Sequence, residues 1–133
     1  MFRPVRGVVD LVFHDPDEPV TVATEIQSGI RRLEQLLRWH NLKAEGLRQG
    51  SDLPIRDVPV SRLLVLRDTA SNRRLVETFS ETFTTAYPAD PDAALGALRS
   101  AAVSWPGAAL LLSRVDGRVV TIAPHPMRRR LPD

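Results

Sequence analysis

Two carboxylates and a carboxamide stand inside otherwise apolar, alternating sequence: Asp10 in "RGVVDLVFH", and Glu25 with Gln27 in "VTVATEIQS". An acid in the middle of a half-buried strand loses solvation unless something pairs with its charge. Two acids held side by side also repel each other, and a hard, oxygen-preferring ion such as Mg²⁺ or Mn²⁺ would relieve that repulsion. An ion held in this way can activate a bound water. The competing reading needs no cation: both acids sit on a solvated sheet face, paired with Arg6, Arg31 or Arg62.

The elements that must position these residues are legible from hydrophobic parity. Val5, Val9, Leu11 and Phe13 share one parity, "HDPDEP" supplies turn residues, and Val20, Val22 and Ile26 share one parity in the next run. These two runs predict a hairpin. A slip of one residue would send one strand's apolar set to the wrong face, so odd residues of the first strand must face with even residues of the second. Asp10 and Val12 then share the opposite face with Ala23, Glu25 and Gln27. The two acids are predicted to lie about 5 to 8 Å apart at Cβ, within reach of one bridging ion.

Beyond the hairpin, Ile30, Leu33, Leu36, Leu37, Ala44 and Leu47 recur at helical spacing, which predicts a helix from Gly29 to about Leu47 with Ser28 as its N-cap. "RQGSDLPIRDVPVS" reads as a loop, and Arg62 to Arg67 ("RLLVLR") as a short strand central in the sheet. "SNRRLVETFSETFTTAY" predicts one helix starting at Ser71. "DPDAALGALRSAAVSW" opens another with an Asp-Pro start signal. Two apolar runs around Asp116 and Gly117 in "AALLLSRVDGRVVTIAP" predict a second hairpin. Strands alternating with helices make the expected class α/β, a mixed β-sheet flanked by helices.

Composition bounds the function classes. The 133 residues, 43% hydrophobic and 26% charged, fit one globular domain. A net charge of +2, from 18 basic and 16 acidic residues, draws a polyanion only weakly. The basic residues are arginines except for Lys43. With no cysteine there is no disulfide, thiolate nucleophile or thiolate metal site, so a metal must take oxygen or imidazole ligands. The longest apolar run, "AALLL" at 108–112, falls far short of a membrane span, and "MFRPVRG" lacks a signal peptide's apolar core. A cytoplasmic protein without a membrane partner is expected.

"GVVDLVFHD" followed by "VATEIQS" and an amphipathic helix resembles the PD-(D/E)XK, or restriction-endonuclease-like, superfamily. The likeness is strongest to the nuclease-like domains found behind helix-turn-helix domains in some bacterial regulators. It covers about 40 residues, Arg6 to Leu47. It implies a restriction-endonuclease-like fold over residues 1–133 and a role on or beside nucleic acid. Asp10 and Glu25 would hold Mg²⁺ or Mn²⁺ with the Ile26 carbonyl as a further ligand, and water would attack a phosphodiester. Gln27 stands where the family places lysine; it can orient water or phosphate but brings no charge. Only nine residues precede Asp10, fewer than the family's usual leading helix and strand require. The chain is then a C-terminal fragment, a domain that borrows a strand from a partner such as a second copy, or a pared-down relative. A second function stays open on the same residues: a catalytically silent regulatory or dimerisation module that keeps the fold.

On the helix after the motif, "QLLRW" is similar to a pattern that some recombination nucleases carry. Arg31, Gln35 and Arg38 share much of one face there and could touch phosphate. Trp39 reads as a core or rim packing residue. His14, His40 and His125 have no partner at metal-ligand or triad spacing and read as surface or hydrogen-bonded histidines. "MRRR" at 127–130 is a basic tail.

Overall fold

A computed structural model describes residues 11–14, 20–50, 59–100, 103–116 and 119–124. The elements in chain order are β1 (Leu11–His14), β2 (Thr21–Gln27), α1 (Leu33–Gly50), β3 (Val60–Arg67), α2 (Ala70–Thr78), α3 (Ser80–Ala86), α4 (Pro91–Arg99), β4 (Ala109–Asp116) and β5 (Val119–Pro124). All five strands form one sheet whose spatial order is the chain order. β1 and β2 run antiparallel, β2, β3 and β4 run parallel, and β4 and β5 are antiparallel again. Parallel neighbours need a crossover. α1 provides the first, and α2, α3 and α4 provide the second. The protein is thus α/β, with a mixed sheet between helices.

The apolar run of β3 explains its central place. Leu63, Leu64, Val65 and Leu66 are all buried, as a strand covered on both faces requires. Leu64 and Leu66 pack with Val76, Phe83 and Tyr87 and with Leu33, Leu36 and Leu37 of α1. Leu63 and Val65 pack on the other face with Val22, Ala94 and Leu111. The first hairpin has the register that parity demands: Leu11 faces Thr24 and Phe13 faces Val22, odd with even. Among the described residues no helix is long and apolar enough to cross a membrane.

Three boundaries differ from the sequence expectation. α1 starts at Leu33, so Ser28 does not cap it; the Ser28 carbonyl instead accepts a bond from the Asn72 side chain. The helix expected from Ser71 onward is broken at Phe79, which takes φ −110° and ψ 39°. An unbroken helix would set Phe79 between Val76 and Phe83 on the buried stripe; the break turns Phe79 outward while Val76 and Phe83 stay buried. α4 stops at Arg99, short of Trp105, although its start holds: Pro91 is in the first turn and the Asp90 side chain accepts from the Asp92 N–H.

Candidate functional site

Pairing of β2 with β3 decides where the motif residues point. Ala23, Glu25 and Gln27 stand opposite Arg62, Leu64 and Leu66, which puts them on the face that α1 covers. Glu25 is 1% exposed there. A buried carboxylate needs compensation, and it comes from α1: Lys43 Nζ donates to Glu25 Oε1 at 2.6 Å. Leu36, His40, Lys43 and Leu47 follow one another at steps of four, three and four residues, so Lys43 belongs to the inward stripe of the helix. Its side chain is still 31% exposed, the stem running out along the rim.

This overturns the solvated-face reading for Glu25, since Thr21 through Glu25 are buried without a break; Asp10 lies outside the described residues. Of the expected ion-pair partners, Arg62 is engaged elsewhere. Arg62 shares the face of Glu25, yet its Nη2 donates to the Ala86 carbonyl at 2.9 Å and its guanidinium lies 5.3 Å from the centre of the Tyr87 ring. Arg31 lies before α1, and Arg6 is outside the described residues.

Beside the ion pair sits a second buried polar link. His40 is fully buried, with Nε2 2.9 Å from the Ala23 carbonyl oxygen and Nδ1 2.6 Å from Tyr87 Oη. A carbonyl only accepts, so the network assigns a proton to Nε2, while Nδ1 shares a hydrogen bond with the Tyr87 hydroxyl. Burial pushes the Tyr87 phenol well above its ordinary range; Arg62 pulls it down and Glu25 adds to the rise. Tyr87 therefore keeps its proton through the neutral range. His40 is a hydrogen-bonded core histidine, as its lack of spaced partners suggests.

The remaining expected site residues scatter. Asp10 lies outside the described residues. Gln27 is half-buried on the face of Glu25, whereas Ile26, opposite Val65, turns a 47% exposed side chain to the other face. Gln35 and Arg38 are on α1, but Arg31 precedes the helix and lines a cavity with α2, so the three do not form one helical face. Trp39 is 51% exposed, outside the core.

Among the described residues no group of three His, Cys, Asp or Glu could hold a metal ion. The described residues on their own do not fit the cation that the sequence pattern implies, because the Glu25 carboxylate is buried and its charge is met by an ammonium. Sequence reasoning missed Lys43 and the His40–Tyr87 link. The signal for the first was there: a lone lysine on the apolar stripe of an amphipathic helix.

Compared with protein-family models, curated proteins and solved structures, the chain matches none.

Proposed function

We propose that this protein is a nuclease-like domain of the PD-(D/E)XK kind that serves beside nucleic acid as a regulatory module and does not hydrolyse phosphodiesters. The observation that carries the reading is the closure of Glu25: 1% exposed beneath α1, with Lys43 Nζ 2.6 Å from its Oε1. Metal-assisted hydrolysis needs an ion with coordination positions open to substrate and water. An ion reaching Glu25 would have to displace the ammonium and lift the helix that brings it. Gln27 adds no charge to help. The order of two antiparallel strands, a helix and a parallel strand supports the nuclease-like part of the reading, alongside the resemblance of residues 6–47.

The test is calorimetric titration of Mn²⁺ into the wild-type chain and into Glu25→Gln, with nicking of supercoiled DNA followed in parallel. The expected result is no heat that depends on Glu25 and no nicking by either protein. Mn²⁺ binding and nicking that are both lost in Glu25→Gln would replace this reading with the hydrolytic one.

That second reading has one observation in its favour. Lys43 sets a positive charge against the motif glutamate from α1, the charge that Gln27 cannot supply from β2. If it holds, Lys43→Gln abolishes nicking while Gln27→Ala leaves part of it.

A further inference from the structure

At the carboxyl ends of parallel strands β2 and β3, the β2–α1 loop and the exposed side of α2 border an open cavity of about 530 Å³. Open parallel sheets place their ligands at this end of the strands, and the volume lies in the range of small-molecule sites. The chemistry of the lining is one-sided. Arg31 comes from the loop and Arg74 from α2, and no carboxylate is among the described lining residues. Both arginines are exposed, and neither makes a side-chain hydrogen bond or ion pair with another described residue.

Asp68, just before α2, is held by Arg73, which donates to it from both Nε and Nη2, so that carboxylate is spent on the neighbour of Arg74. Two planar forks facing one space suit a group with several anionic oxygens, a phosphate above all. Hydroxyls of Ser28 and Ser71 stand on the same lining.

Asn72 says something about the rest of the ligand. It is 5% exposed, and its Nδ2 donates to the carbonyls of Ser28 at 2.9 Å and Arg67 at 2.8 Å. Both amide hydrogens are used, which fixes the orientation of the carboxamide and leaves Oδ1 as what Asn72 offers to the cavity it lines. A ligand donor, an amino or hydroxyl group, would meet it. Phe79 completes the lining with a ring that is 45% exposed because the helix breaks there; a flat ring of the ligand would cover it.

We infer that this cavity binds a small phosphorylated ligand with a planar, hydrogen-bond-donating ring, a mononucleotide in class. The phosphate lies between Arg31 and Arg74, and the ring packs on Phe79. The site is separate from Glu25 and needs no metal, so its fate is independent of the hydrolysis question.

The experiment is isothermal titration of the full chain with the four nucleoside 5′-monophosphates and with inorganic phosphate, repeated in Arg31→Gln, Arg74→Gln, Phe79→Ala and, as a control at the exposed end of α4 outside the cavity, Arg99→Gln. Circular dichroism confirms that each variant is folded. The expected result is saturable one-to-one binding of at least one nucleotide, weakened about tenfold or more by either cavity arginine substitution and unchanged in Arg99→Gln. Phe79→Ala weakens the nucleotide but not inorganic phosphate. Absence of saturable binding by all five probes overturns the proposal, as does binding indifferent to Arg31 and Arg74. Binding of a single-stranded octanucleotide without any mononucleotide binding also overturns it, assigning the arginines to a nucleic-acid surface.

Discussion

Lys43 and Glu25 are single residues whose meaning depends on each other. The sequence shows Glu25 as an acid that must find a partner, and the search along the sheet for that partner fails because it arrives from a helix 18 positions away. What was legible was the recurrence of Leu33, Leu36, Leu37, Ala44 and Leu47, into which Lys43 falls by spacing. Replacing Lys43 takes the ammonium from the buried Glu25 carboxylate, so Lys43→Met is expected to lower stability by about 1 to 3 kcal/mol. Urea unfolding of Lys43→Met, Glu25→Leu and the double variant checks this. The double variant should recover most of the loss, because two apolar side chains of similar volume can replace a buried pair at little cost. A double variant as unstable as Lys43→Met alone would mean that the pair is not the source of the effect.

At the scale of elements, the parts of the fold that were legible are those whose pattern is local. The odd-with-even register of β1 and β2, the doubly covered run of β3 and the Asp90-Pro91 start of α4 each follow from a few adjacent residues. The misread boundaries depend on contacts made at long range. Nothing around Phe79 signals a helix break by glycine or proline. Ser28 looks like a cap until Asn72, 44 residues further on, takes its carbonyl. Asn72 joins the β2–α1 loop, the end of β3 and the first turn of α2, where its own N–H donates to Thr69 Oγ1 at 3.0 Å. Asn72→Ala leaves two carbonyls without their donor and is expected to cost about 1 to 3 kcal/mol, with amide exchange rising first in the loop after β2. Uniform loss of protection across the sheet instead would show that the clamp is not local.

Over the whole molecule, the His40–Tyr87 bond spans 47 residues and ties the end of α3 to α1 and, through Ala23, to β2. Because burial raises the Tyr87 phenol above its usual 10.0, the folded state keeps a proton that the unfolded state releases in alkaline solution. Stability contributed in this way is intact below pH 10 and falls as the pH rises above it, by at most about 1.4 kcal/mol per pH unit for one group. Tyr87 is the only tyrosine, so phenolate absorbance reads it alone: it should appear with unfolding, later than for a free phenol, and Tyr87→Phe should remove this part of the alkaline loss. Appearance of phenolate in the folded protein at the free-phenol pH would contradict it. The placement of Lys43 has a practical corollary. As the sole lysine, it is the one side-chain amine that an acylating reagent can modify, and the reagent needs the unpaired, unprotonated nitrogen. Acylation also removes the charge that Glu25 relies on, so each modified molecule is one that cannot close again in its native arrangement. The rate of labelling at Lys43, read by peptide mass, therefore counts how often the Glu25–Lys43 pair opens, and turns an ion pair into a clock for that local event.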